Sequence, residues 1–196
     1  MKMARLKRFL PSLLMLAGVA LLIYVAAQYG TMYAAQRRLA QEWQQQNVPL
    51  PAQPAGLVTT LTRLTVPSIK LDAVVVEGVD RKDLLMGPGH LTDTPEPGQR
   101  GNSVISGHRD TFFRPLKDLK IKDEIQFSTL NGDFRYVVES VVVVDPNNVG
   151  VLAPSSENLL TLVTCYPFFY IGAAPKRFIV RARQVPAQAL ARSTVE

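Results

Sequence analysis

EIQFSTLNGDFRYVVESVVVV, residues 124–144, holds two β-rich runs around a tight-turn signal. The runs are Glu124–Leu130 and Phe134–Val144, and their valine and aromatic content favours strands. Between them stand Asn131 and Gly132, which both tolerate the positive φ angles of a short hairpin loop. The stretch therefore predicts an antiparallel hairpin and indicates a fold built from strands.

The same pattern continues on both sides of this hairpin. Further strands are predicted at Thr59–Val66, Ile69–Val76, Asn102–Ser106, Leu159–Thr164 and Arg177–Val185. Short helices are predicted at Arg81–Met86, Phe113–Leu119 and Val149–Ala153. The absence of a long amphipathic helix between the predicted strands argues against a parallel α/β sheet. Seven or eight strands in about 130 residues predict an all-β domain closed into a barrel, which removes exposed edges.

The net charge of +6 is placed at one end of the 196-residue chain. Residues 1–57 hold six basic residues and one acidic residue, whereas residues 58–185 hold fifteen basic and fourteen acidic residues. The folded part is therefore nearly neutral, which gives no support to a nucleic-acid partner. The sequence also has no P-loop, dinucleotide glycine fingerprint or acidic cluster typical of Ca²⁺ sites, so we expect no cofactor and no metal.

The N-terminus has the pattern of a membrane anchor. Residues 1–8 form a basic flank, and residues 9–27 are an uncharged apolar run. At 1.5 Å per residue this run spans about 28 Å, close to the hydrocarbon thickness of a bilayer. The basic flank predicts a cytoplasmic N-terminus and an extracytoplasmic remainder. A cleaved signal peptide is the alternative, because Val25-Ala26-Ala27 fits a small-residue cleavage site.

Residues 28–57 separate the anchor from the folded domain. Gln28–Gln46 is rich in helix formers, and apolar residues recur there at helical spacing, so it reads as a helix leaving the membrane or as a frayed polar spacer. Three prolines in residues 47–56 indicate an extended linker. We therefore place the folded domain at residues 58–185 and a tail at residues 186–196.

Three chemically capable residues stand at predicted strand ends. Cys165, the only cysteine, ends the strand that begins at Leu159, where a substrate can reach a thiol. A buried structural cysteine is the alternative. His108 follows the strand Asn102–Ser106 and is a suitable proton-transfer group. Arg177 begins the strand after Cys165, and its planar fork suits oxyanion binding.

Two further residues, a histidine and an arginine, are given no catalytic role. His90 lies in a glycine-rich segment that is predicted to be a loop, and it is interpreted as a surface residue or a residue that packs the loop. Arg109 directly follows His108 and is interpreted as a solvated cation.

Three segments together resemble the signature segments of sortases, the cysteine transpeptidases of bacterial envelopes. They are SGHRDTFF with His108, TLVTC with Cys165 and APKRF with Arg177, separated by 57 and 12 residues. The GPGH segment at residues 87–90 and the HRDTFF form are most similar to class D sortases. The resemblance covers about residues 58–185 and is matched by the N-terminal anchor.

The resemblance implies a closed eight-stranded β-barrel with Cys165, His108 and Arg177 at one groove. Cys165 would cleave an LPxTG-like sorting signal after Thr, forming a thioacyl enzyme that an amine resolves. His108 would exchange protons with the departing and incoming amines, and Arg177 would bind the oxyanion or the substrate backbone. The implied partners are surface proteins with that signal and an amine acceptor, either a peptidoglycan precursor or a pilin lysine. The implied location is the bacterial cytoplasmic membrane, crossed once.

Further residues are candidates for supporting roles. Asp110 would orient His108 or instead pair with Arg109. Thr164 would support the oxyanion site through its backbone or serve only as a strand residue. Four residues of the loop between Cys165 and Arg177 would contact the sorting signal or pack the loop onto the barrel: Phe168, Phe169, Tyr170 and Ile171. A second function class also remains, a non-catalytic, membrane-tethered β-barrel that binds envelope peptides or proteins.

Overall fold

The computed structural model describes residues 2–46, 62–129 and 132–186, with side chains of the first segment described from Pro11 to Gln45. The proline-rich linker, the first residues of the predicted strand Thr59–Val66, Asn131 and the end of the tail lie outside these ranges. The predicted boundaries of the anchor, the spacer and the folded domain stay predictions.

A single long helix, α1, runs from Lys2 to Gln46. It takes in the apolar run and continues without a break through the segment that the sequence left as either helix or spacer. An 18-residue window within Pro11–Gln45 has a mean hydropathy of 1.9, and its side chains are not buried. By length and composition α1 is therefore a candidate membrane span.

Eight strands form a closed barrel, which confirms the predicted fold class. They are β1 (Thr62–Val66), β2 (Leu71–Glu77), β3 (Gly89–His90), β4 (Gly101–Gly107), β5 (Glu124–Thr129), β6 (Gly132–Val144), β7 (Asn158–Tyr166) and β8 (Lys176–Gln184). Their order around the barrel is β1-β2-β3-β4-β7-β8-β6-β5. The pairs β2–β3 and β4–β7 are parallel, and the remaining pairs are antiparallel.

The helices of the barrel domain are short. A second α-helix, α2, spans Arg81–Met86 as predicted, and Asp80 and Asp83 form a capping box at its start. Three 3-10 helices lie at Pro67–Ile69, Arg114–Asp118 and Val149–Leu152 among the described residues. The two-residue strand β3 was not predicted, because so short a segment carries no periodicity of its own.

The predicted hairpin is confirmed as the antiparallel pair β5–β6, in which Thr129 faces Gly132. Gly132 has a φ of 127°, which supports the reason given for the turn. Across the hairpin, the rings of Phe127 and Tyr136 meet edge to face with centroids 5.9 Å apart. Both side chains belong to the core that fills the barrel.

Tyr136 is the largest fully buried side chain of this core, and its polar end is satisfied. Its hydroxyl oxygen accepts a hydrogen bond from the backbone N–H of Gly98 at 2.7 Å. Burial raises the pKa of Tyr136, and the bond from Gly98 acts in the opposite direction. The phenol thus ties the loop between β3 and β4 to the barrel interior.

Candidate active site

Cys165 and Arg177 lie directly opposite each other at one end of the antiparallel pair β7–β8. Residues opposite each other in such a pair share a face of the sheet, with Cβ atoms about 4.5–5.5 Å apart. Leu160 and Leu162 of β7 belong to the barrel core. The alternation of side chains therefore turns Cys165, together with Arg177, to the outer face of the barrel wall. Cys165 is a free, half-buried thiol.

His108 is the first residue after β4, the strand on the other side of β7. The parallel pairing of β4 and β7 ends with Gly107 beside Thr164, so His108 and Cys165 leave their strands side by side. The carbonyl oxygen of His108 accepts hydrogen bonds from the N–H of Phe113 at 3.1 Å and of Thr111 at 3.4 Å. Its ring makes no hydrogen bond with the residues that the structure describes, which leaves it available for proton transfer.

A buried hydrogen bond joins the two strand ends. The Thr164 hydroxyl donates to the carbonyl oxygen of Gly107 at 2.7 Å. Only 2% of Thr164 is exposed, so its side chain serves this contact, and the proposed contribution of its backbone to the oxyanion site stays a prediction. A Cβ on Gly107 would lie 2.7 Å from the buried Phe113 ring. Glycine is therefore needed where the His108 segment folds back on the barrel.

Arg177 is turned toward its own loop. Its Nη1 donates to the carbonyl oxygen of Lys176 at 3.0 Å and to that of Ala174 at 3.4 Å. The Nε and Nη2 groups make no hydrogen bond among the residues that the structure describes. The half-buried guanidinium therefore keeps donors that none of the described residues uses.

The loop between β7 and β8, residues 167–175, divides the four predicted substrate contacts into two groups. Phe168 packs onto the barrel, with ring centroids 6.0 Å from Tyr166 and 5.1 Å from Phe178. The other three side chains are exposed to 70%, 48% and 102%: Phe169, Tyr170 and Ile171. Packing therefore accounts for Phe168, and the exposed residues remain candidates for apolar substrate contacts.

Arg109 holds this loop in place, a role that the sequence interpretation missed. Its Nη2 donates to the carbonyl oxygens of Tyr170 at 2.9 Å and Gly172 at 3.1 Å. Its guanidinium also lies 5.8 Å from the centroid of the Tyr170 ring. The interpretation of Arg109 as a solvated cation was therefore wrong. The aromatic residues of the loop, which can stack on a guanidinium, were the available sequence signal.

Asp110 is exposed, and among the described residues it makes neither a hydrogen bond nor an ion pair. The structure thus shows neither of the two contacts considered for it, with His108 or with Arg109. A role for Asp110 in orienting His108 stays a prediction.

His90 lies apart from these residues and is 3% exposed. Its Nδ1 is 2.9 Å from Glu77 Oε2, and its Nε2 is 3.1 Å from the carbonyl oxygen of Pro95. Ligand atoms of Glu77, His90 and Glu96 lie within 4.8 Å of one another, the spacing of a possible cation site. The hydrogen-bond partners Glu77 and the Pro95 carbonyl account for the placement of His90. Of the two interpretations of His90, packing fits this burial and a surface position does not. The predicted loop was wrong, because His90 belongs to β3.

These features define a class: closed β-barrel proteins that carry a cysteine, a histidine and an arginine at one end of three neighbouring strands. The family model described as the sortase domain matches residues 64–185. The chain belongs to the sortase family.

The relatives agree with this assignment. Over 123 residues the chain is 38% identical to Sortase D of Bacillus subtilis strain 168, a match that covers 62% of each chain. It is 26% identical over 131 residues to Sortase A of Bacillus anthracis, covering 65% of this chain and 60% of that one. The chain thus spans less than two thirds of the length of these curated relatives.

Solved structures agree on the fold. A sortase D5 transpeptidase from Clostridium perfringens superposes with a TM-score of 0.68 at 24% identity, covering 78% of this chain and 99% of that one. Sortase C1 from Streptococcus agalactiae superposes with a TM-score of 0.60 at 29% identity, covering 74% and 76%.

Proposed function

We propose that this chain is a membrane-anchored sortase that cleaves an LPxTG-like sorting signal after Thr and transfers the new acyl end to an amine. The observation that carries the proposal is the placement of Cys165 opposite Arg177, with His108 leaving the strand next to that of Cys165. Three side chains of complementary chemistry at adjacent strand ends suit acyl transfer through a covalent intermediate.

The proposed reaction has two halves. The Cys165 thiolate attacks the Thr carbonyl, and the oxyanion that forms is bound by the unused donors of Arg177. The intermediate collapses to a thioester, and His108 gives a proton to the departing amine. An incoming amine then attacks the thioester, His108 takes its proton, and Cys165 leaves as the free enzyme's thiolate. A peptidoglycan precursor or a pilin lysine supplies the amine.

The proposed location follows from α1. Its basic N-terminal flank stays in the cytoplasm, its apolar part crosses the membrane once, and the barrel lies outside. Substrates would be surface proteins that reach the same face of the membrane.

The decisive experiment incubates the full-length protein in detergent with LPxTG-type peptides and a panel of amines, followed by mass spectrometry. We expect cleavage after Thr, a thioester on Cys165 and an amide product with the preferred amine. Cys165→Ala should fold and give none of these, because it removes the nucleophile. An Ala variant that cleaves at the unsubstituted rate would refute the cysteine mechanism. A folded, alkylatable but inert unsubstituted protein would favour the non-catalytic binding barrel.

A further inference from the structure

The part of α1 beyond the apolar run lies against the barrel along one stripe of half-buried residues. The stripe consists of Met32, Ala35, Gln36, Leu39, Ala40 and Trp43. Steps of three and four residues are those of one helix face. Large apolar side chains from Leu13 to Val25 are exposed, as a membrane span requires. The helix thus has two halves, one facing solvent or lipid and one packed on the protein.

Gln36 makes the main polar contact of this stripe, and it binds β2 as a neighbouring strand would. Its Oε1 accepts from the N–H of Val74 at 3.0 Å, and its Nε2 donates to the carbonyl oxygen of Val74 at 3.0 Å. The same Nε2 is 2.6 Å from the carbonyl oxygen of Met86. On β2 the described pairing of β3 covers Val76 and Glu77, so β3 does not reach Val74. The Gln36 amide therefore satisfies backbone groups that the short strand leaves unpaired.

Gly87 provides the space for this contact. A Cβ at position 87 would lie 2.5 Å from Gln36 Nε2 and 2.6 Å from the carbonyl oxygen of Val74. The φ of Gly87 is −174°, which any residue adopts, so the requirement for glycine is one of space. Three separate segments thus shape one site for the Gln36 amide, which indicates a built docking contact.

The contacts of α1 also give the direction in which it crosses the barrel. Gln36 meets Met86 and Val74, whereas Trp43, about 10 Å further along the helix axis, lies under the Arg63 guanidinium. The distance from Arg63 Cζ to the Trp43 ring centroid is 5.3 Å. Arg63 of β1 stands opposite Val74 of β2. As α1 leaves the apolar run it therefore passes α2 and β2 at Gln36 and then β1 at Trp43.

The order of the strands around the barrel then shows which strands lie toward the apolar run of α1. Moving from β1 through β2 toward the apolar end of α1, the next strands are β3, β4 and β7. In this closed order β3 and β4, the strand that His108 follows, lie on the side of the apolar run, β5 and β6 lie on the other side, and β7 stands opposite β1. On the side of the apolar run α2 exposes half of Leu85. Gln36 is only about 5 Å along the helix from Tyr33, an exposed aromatic residue of the kind found at membrane interfaces.

We propose that the Gln36 contact holds the barrel on α1 in one orientation, with α2 and the β3–β4 side of the barrel, at the end of which His108 stands, turned toward the lipid surface. The proposal rests on the membrane anchoring put forward above. Its consequence is that Cys165 works close to the membrane, where a membrane-bound substrate presents its cleavage site. Gln36 is a positioning residue in this scheme and touches no substrate.

The test measures depth with the full-length chain in nanodiscs of phosphatidylglycerol and phosphatidylcholine. In a Cys165→Ala background, a fluorophore is attached at Lys82→Cys in α2, Ile171→Cys after β7 or Asp133→Cys in β6. Lipids with spin-labelled headgroups should quench the first two probes more strongly than the third. Equal quenching at Lys82→Cys and Asp133→Cys would overturn the proposed orientation.

The role of Gln36 is tested by Gln36→Leu, with Gln41→Leu on the exposed face of the same helix as the matched control. Gln36→Leu should abolish the difference in quenching, and Gln41→Leu should retain it. Gly87→Ala, checked by thermal melting to be folded, should act as Gln36→Leu does. A difference that survives both Gln36→Leu and Gly87→Ala would overturn the docking role.

An activity readout separates this proposal from the proposed function. Using native Cys165, turnover of a lipid-tethered sorting peptide should fall about tenfold in Gln36→Leu, because a misplaced site loses effective concentration. Turnover of the soluble peptide should be unchanged. Equal losses on both peptides would contradict a positioning role. Absence of turnover in the unsubstituted protein would refute the proposed function, while the depth measurement would still decide the orientation.

Discussion

Replacing Thr164 with valine tests whether the Thr164 hydroxyl aligns the active site in addition to stabilising the barrel. Valine keeps the β-branched shape but removes the hydroxyl that donates to the Gly107 carbonyl at 2.7 Å. That carbonyl and the N–H of His108 belong to one planar peptide unit. Loss of this hydrogen bond therefore loosens the peptide unit between Gly107 and His108. His108 stands next to Cys165, so the change acts at the site.

The expected size of the effect follows from the burial of this bond. Removing one partner of a buried hydrogen bond costs about 1–3 kcal/mol when the other partner is left without its donor. For a domain of this size, the middle of that range lowers Tm by about 5–10 °C. Looser placement of His108 should also lower kcat by about tenfold, which corresponds to about 1.4 kcal/mol in the barrier. KM should change little, since substrate contacts are retained.

Thr161→Val is the matched control. Thr161 lies on the same strand, is fully buried, and donates to Oδ1 of Asn102 in β4 at 2.7 Å. Loss of the Thr161 hydroxyl should cost a similar amount of stability, but Thr161 lies three residues before Thr164, about 10 Å away along the strand. Thermal melts and steady-state kinetics of both full-length variants in detergent, at a temperature where both are folded, make the comparison. Equal kcat values for the two variants would refute the proposed alignment role of Thr164.

Four other substitutions give expected outcomes. His108→Ala should abolish turnover with little change in Tm. His90→Ala should lower Tm, because His90 is buried and hydrogen-bonded to Glu77. The reverse pattern would exchange the roles of the two histidines. Arg177→Lys should keep the charge but lower kcat and kcat/KM together, because it loses the planar fork; unchanged kinetics would exclude Arg177 from the site. Arg135 lowers the pKa of Glu124 below its ordinary 4.5, so this pair stabilises the fold above that pH and loses its effect as the pH falls. Glu124→Gln should flatten the acid side of the Tm–pH curve, and an unchanged slope would show that the pair contributes nothing.

Short-range sequence patterns were sufficient to predict the elements whose structure depends on neighbouring residues. The β5–β6 hairpin follows from turn residues and strand-forming runs that lie within one stretch of sequence. The strand β3 could not be predicted in the same way, because two residues have no period and are ordered only by pairing with β2 and β4. Register is likewise a tertiary property, so the sequence placed Cys165 and Arg177 at strand ends without showing that they are opposite each other.

The supporting contacts of the site were harder to foresee. Arg109 binds loop carbonyls that are distant in sequence, and no local pattern distinguishes such an arginine from a solvated one. Gln36 did carry a signal, since it is a polar residue within an otherwise apolar helical stripe. That signal does not name the partner, because Val74 and Met86 become neighbours only after the barrel has formed.

The parallel pairing of β4 and β7 explains why His108 and Cys165 meet although 57 residues separate them. Both residues stand at the C-terminal ends of their strands, and such ends are adjacent only when the strands are parallel. A parallel pair needs a long crossover, and here the crossover contains β5 and β6, the strands that close the barrel. Arg177 stands at the start of its strand, so an antiparallel partner and a short loop are enough to bring it to Cys165. The connection that closes the barrel therefore also assembles the site, and a change in the β4–β7 register would disrupt both.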